Sequence, residues 1–135
     1  MSFIEQLKLL LLFKPQDAVT DAVMIYIYLP EDLDPFDRYA RYEDALENEL
    51  QAAGLGRVTG GGSMMGEELE DGTCPALFSG IDVDVTDLGV GRALLRTLLP
   101  DLGCPPGTAL QFGIGPRGRQ DIYDGETWVL GRPLD

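Results

Sequence analysis

Two short stretches bring together residues that could do chemistry. "GIDVDVTD" places Asp82 and Asp84 two apart on a β-branched run, and "GRVTGGGSMMGEELEDG", Gly56 to Gly72, sets three consecutive glycines before two methionines and four acids. Paired carboxylates could hold Mg²⁺ or Ca²⁺, which take oxygen ligands, and a glycine cluster could cradle a phosphate. The phosphate reading fails on composition. A P-loop needs GxxxxGK[ST] and a dinucleotide fingerprint needs GxGxxG opening a helix, whereas lysine occurs here only at positions 8 and 14. Glu67 and Glu68 follow the glycines and would repel a phosphate. The glycines therefore read as the end of one strand and a loop to its antiparallel neighbour.

The metal reading is weakened by strand geometry. Asp82 and Asp84 share one face of a strand about 7 Å apart, so one octahedral ion would need further ligands from neighbouring strands. The acidic loop also lacks the EF-hand spacing. A hydrophobic strand ending in DxDx[TV] resembles the nucleophile motif of haloacid dehalogenase phosphatases, which implies Asp82 as the nucleophile. That family also needs a downstream lysine and a later acidic metal site, and no lysine follows Thr86. No metal and no cofactor is expected.

Composition narrows the function classes further. Against 23 acids stand 10 Lys plus Arg, a formal charge of -13 over 135 residues, which opposes nucleic acid and anionic membranes as direct partners. Histidine is absent, which excludes triads that rely on it. Cys74 and Cys104 form no CxxC pair and read as two buried, reduced thiols. "FIEQLKLLLLF" lacks the basic flank of a signal peptide and is too short to cross a bilayer. Phe3, Leu7, Leu10 and Leu11 share a helical face, so a short helix at residues 1–20 is expected, packed on the domain or on a second subunit. Cytoplasm is the expected location.

The elements that must position the carboxylates follow from periodicity. "DAVMIYIYLP" reads as an inner strand. Asp34 can cap a helix with Pro35 at its first position, and Phe36, Tyr39, Tyr42, Leu46, Leu50 and Ala53 recur at helical spacing. A short strand at Gly56 to Thr59 leads into the glycine loop, and Ile81, Val83 and Val85 alternate with Asp82, Asp84 and Thr86 as the third strand. Asp87 or Thr86 can cap a second helix carrying Val90, Leu94, Leu98 and Leu102. "GTALQFGIG" is a fourth strand, and Asp124-Gly125 marks a hairpin over residues 116–135.

This strand, helix, strand, strand, helix, strand order resembles the ferredoxin-like split βαβ arrangement over residues 21–115. "GGG", "DVDVTD" and "LGCPPGT" resemble stretches of small bacterial proteins. The resemblance implies one α+β domain over residues 1–135, a βαββαβ antiparallel sheet with both helices on one face, an added N-terminal helix and a C-terminal β-hairpin. It makes the first and third strands neighbours, so one open face is expected to display Met24, Tyr26 and Tyr28 beside Asp82 and Asp84. Arg57 and Thr59 flank them, Arg57 close to Asp82, and Gln111 and Trp128 complete the candidate binding face.

A face mixing tyrosine, methionine, arginine and carboxylate suits protein contact. The expected function is a small acidic, non-enzymatic protein-binding module, an immunity protein or inhibitor that covers a basic partner. A homodimer, or the C-terminal hairpin folded across the face, would cover it equally. A dimeric module that senses a small molecule or metal ion is the alternative, and an enzyme using carboxylates with Tyr26 or Tyr28 is a third reading.

Overall fold

Alternation in the first strand gives the sheet two unlike faces. In β1 (Val23–Leu29) the side chains of Ile25, Ile27 and Leu29 are fully buried, while Met24, Tyr26 and Tyr28 point to the other side. β3 (Ala76–Val85) repeats the pattern, burying Ile81, Val83 and Val85 and leaving Asp82 and Asp84 on the face of the tyrosines. The two strands pair antiparallel, with Tyr26 opposite Asp82 and Tyr28 opposite Gly80. The computed structural model describes residues 22–113 and 115–134, so the helix expected at residues 1–20 lies outside the described residues.

Four more strands complete the sheet: β2 (Gly56–Met65), β4 (Ala109–Phe112), β5 (Arg119–Tyr123) and β6 (Trp128–Pro133). Their order is β2-β3-β1-β4-β5-β6, and every neighbouring pair is antiparallel. The described residues are thus α+β, with one six-stranded antiparallel sheet. The C-terminal hairpin lies beside β4 as β5 and β6, widening the sheet instead of folding across it.

The first helical segment starts where the sequence says it should. Asp34 accepts a hydrogen bond from the Asp37 amide at 2.8 Å, and Pro35 opens α1 (Pro35–Arg38). A π-helical turn, Tyr39–Glu43, then leads directly into α2 (Asp44–Ala52). That turn corrects the expected apolar stripe. Tyr42, Leu46, Leu50 and Ala53 are buried, but Phe36 and Tyr39 are 75% and 55% exposed, and Arg38 goes inward in their place. A π turn spaces stacked side chains five residues apart, which a 3.6-residue period does not anticipate.

α3 (Leu88–Asp101) is capped by Asp87, whose carboxylate accepts from the Val90 amide at 2.9 Å. Leu94, Leu95 and Leu99 of α3 meet Leu46 and Leu50 of α2 over Ile25, Ile27, Val83 and Leu110. Each fully buried aliphatic side chain contributes roughly 1.5–3 kcal/mol, and this single layer between helices and sheet is the main driving force for the fold.

The hairpin is fixed to that layer by a buried acid. Asp121 of β5, fully buried, accepts from Arg92 Nε at 2.8 Å and Nη2 at 2.7 Å, from Arg96 Nη1 at 2.9 Å, and from the Gly131 amide at 2.9 Å. Trp128 of β6 donates its indole N–H to the Arg96 carbonyl at 3.0 Å and packs on Tyr123, their ring centroids 5.2 Å apart. Both arginines come from α3, so helix and hairpin are clamped together.

The glycine stretch is also corrected. Gly60, Gly61 and Gly62 are not a loop but the middle of β2, opposite Asp82, Ile81 and Gly80, and the connection runs over residues 66–75. Local glycine propensity favours a turn, and pairing with a full-length β3 overrides it. Cys104 is buried as expected, whereas Cys74 is exposed in that connection, and both are free thiols.

Candidate functional site

The face of the sheet opposite the helices is organised in rows. One row runs Gly62, Gly80, Tyr28, Ala109, Ile122, Val129 across all six described strands and is apolar but for the Tyr28 hydroxyl. The next runs Gly60, Asp82, Tyr26, Gln111, Gln120, Arg132 and is polar but for the glycine. A shorter third row holds Arg57, Asp84 and Met24. Cross-strand neighbours of this kind touch directly, so the rows form a continuous surface.

Met24, Tyr26, Tyr28, Arg57, Asp82, Asp84 and Gln111 therefore share the face that the sequence assigns them. Their neighbours differ in one respect. The β2–β3 connection over residues 66–75 sets a register in which Arg57 stands opposite Asp84, and a β-bulge at Thr59 then places Gly60 opposite Asp82. The expected approach of Arg57 to Asp82 is replaced by that pairing, and no ion pair within 4.0 Å joins Arg57 to either acid among the described residues. Thr59 sits in the bulge and donates its hydroxyl to the Asp82 carbonyl at 3.3 Å. Trp128 is not on this face: its indole is turned to the helix side, held by α3.

Packing on the face is uneven. The Tyr26 ring lies over Gly80, where a Cβ would collide with the phenol, and Tyr28 stacks on Phe78 with centroids 4.8 Å apart. Beyond these rings no described element covers the surface. Met24 and Met64 are more than half exposed, and a Cβ at Gly62 would meet nothing within 4 Å. Burial, with Asp82 and Tyr28 adding to it, raises the Tyr26 phenol above its ordinary value and keeps it protonated. Phe78 and Met64 also belong to the surface, and the alternation that places Asp82 points to Phe78 if carried four residues back.

A second feature lies at the β2 edge. The π turn stacks Arg38 on Glu43, and the guanidinium Nε donates to Glu43 Oε2 at 3.1 Å while Nη1 reaches Ser63 Oγ at 3.4 Å. The pair lies flat on Gly61, where a Cβ would come within 2.8 Å of Arg38 Nε and 3.0 Å of Glu43 Oε1. A side chain at this position would have to displace the pair. Beside Arg38 opens a cavity of about 520 Å³, lined by Asp32, Leu33 and Asp34 before α1, by Gly61 to Ser63 of β2, and by Met65, Cys74 and Ala76. Arg38 is 8% exposed. Helical periodicity could not flag it; only the five-residue spacing of Arg38 and Glu43 carries a signal, and that spacing has meaning only in a π turn.

Among the described residues no three His, Cys, Asp or Glu side chains are grouped as metal ligands, and no helix is long and apolar enough to cross a membrane. Compared with known proteins, the chain matches no family model, no curated protein and no solved structure.

Proposed function

We propose that the chain is a non-enzymatic protein-binding module that meets a basic partner with its open sheet face. The observation that carries this reading is the face itself: an apolar row beside exposed Met24 and Met64, with Asp82 and Asp84 between them, and no described element across it. Apolar patches rimmed by charge commonly mark interaction sites. A second copy is the poorer occupant, because two chains of charge -13 would bring their Asp82 and Asp84 carboxylates together. A basic partner would be steered to the same carboxylates. The raised phenol of Tyr26 speaks against its use as a tyrosinate base.

The same reading takes the core as a split βαβ arrangement of ferredoxin type, extended by the C-terminal hairpin. Its support is the neighbourhood of β1 with β3 and β4, the hairpin of β2 with β3, and the helical segments that follow β1 and β3.

The test uses the full chain and a charge-reversed variant, Asp82→Lys with Asp84→Lys, beside a control, Glu126→Lys, on the far hairpin. A basic partner captured at low ionic strength should be lost from the double variant, kept by the control and weakened by salt. Retention by the double variant overturns the proposal. Sedimentation reads the competing occupant: a dimer dissociated by Tyr28→Arg would assign the face to a second copy.

The cavity beside Arg38 supports a second reading, in which the domain senses a small molecule. A panel of metabolites and divalent ions, read by thermal shift, separates it, because a ligand that prefers the native state raises apparent stability.

A further inference from the structure

The charge balance of the Arg38 cavity narrows what it would take. A guanidinium has five N–H donors. Arg38 uses one on Glu43 and one on Ser63, so three have no acceptor among the described residues. It lines a cavity of about 520 Å³, inside the roughly 300–1,000 Å³ range of small-molecule sites. A carboxylate is the planar acceptor that a guanidinium fork fits best. The rest of the lining has the opposite sign. Asp32 and Asp34 each commit one oxygen to a backbone amide, at Ala76 and Asp37, and keep the other. Glu43 already offsets the charge of Arg38, so Asp32 and Asp34 leave the lining net negative, which disfavours a simple anion and leaves a place for an ammonium. Leu33, Pro35 and Met65 supply an apolar wall.

We propose that this cavity binds a small zwitterion, an apolar α-amino acid, with its carboxylate on Arg38 and its ammonium between Asp32 and Asp34. The assignment rests on the small-molecule reading of the cavity and is independent of the open face, whose Asp82 and Asp84 do not line it.

Calorimetric titration and thermal shift of the full chain with leucine, leucinamide and N-acetylleucine test it. Leucine should bind and raise Tm, while the amide, which lacks the carboxylate, and the acetylated form, which lacks the ammonium, should bind about ten- to a hundredfold more weakly. Arg38 variants risk misfolding, so the site is checked with Asp32→Asn and with Asp34→Ser, which keeps a helix cap; both should weaken leucine with Tm of the free chain little changed. Equal binding of N-acetylleucine would make the cavity an anion site, equal binding of leucinamide a cation site, and either overturns the proposal. So does leucine binding that ignores both aspartate variants, or no leucine binding at all. A chain indifferent to leucine but stabilised by another metabolite loses the zwitterion and keeps the sensor reading.

Discussion

Two arginine–carboxylate arrangements lie on the helix side of the same sheet and differ in how fully they are satisfied. At the β5–β6 end, Asp121 accepts four donors from Arg92, Arg96 and the Gly131 amide, and its side chain has no exposure. Burial alone would raise its carboxyl, but hydrogen bonds from Arg92, Gly131 and Arg96 outweigh that and hold it below its ordinary value. At the β2 end, Arg38 and Glu43 pair through one nitrogen and one oxygen, and the guanidinium borders an open cavity. A completed cluster clamps elements together, whereas an incomplete one beside space keeps donors for something else. The same chemistry thus serves architecture at one end and is available for recognition at the other.

Breaking the completed cluster should cost most. Asp121→Ala leaves two guanidinium groups and a backbone amide without their acceptor, and should lower stability by about 3–5 kcal/mol in urea unfolding. A much smaller loss would mean that the arginines swing to solvent and the hairpin is held by Trp128 and the β4–β5 ladder.

The incomplete pair should respond less, and unequally at adjacent positions. Gly61→Ala pushes a methyl into Arg38 and Glu43 and should destabilise by about 1–3 kcal/mol, while Gly62→Ala meets open space and should stay within about 0.5 kcal/mol of the native chain. Equal effects at the two positions would show that strand propensity, not the ion pair, selects glycine here.

Acid should give the smallest effect of the three. Because the folded chain favours the Asp121 carboxylate, its contribution is complete above about pH 4 and is lost as pH falls through the depressed folded value. Unfolding midpoints measured from neutral pH downwards should therefore fall more steeply for the native chain than for Asp121→Asn. Parallel curves would assign the acid sensitivity to other carboxylates.

Much of the sheet was legible because its signal is local. Ile25, Ile27 and Leu29 alternate with Met24, Tyr26 and Tyr28, and that alone assigns their faces; Asp34 and Asp87 mark helix starts by cap chemistry that acts within three residues. What escaped depends on partners far along the chain. Gly60 to Gly62 look like a loop until β3 supplies their pairing, and Arg57 looks bound for Asp82 until the length of the β2–β3 connection, residues 66–75, sets it opposite Asp84. Trp128 looks like a face residue until Arg96, thirty-two positions earlier, offers its carbonyl on the other side. The Arg38 cavity needs the π turn, Gly61 and the segment before α1 together, and no one of these announces it.

The β2 edge also bears on how copies of this chain behave when crowded. Among the described residues β2 has no strand on its outer side, and Glu47 of α2 supplies the acceptor for the Val58 amide. A side-chain carboxylate occupying the place of a neighbour's carbonyl works as a stopper against open-ended strand addition. At the opposite border β6 ends at Pro133, which has no amide hydrogen to offer. Fibril growth by edge-to-edge stacking thus meets an obstacle at each border, and Glu47→Ala should shorten the lag before amyloid-dye fluorescence appears in concentrated, agitated samples.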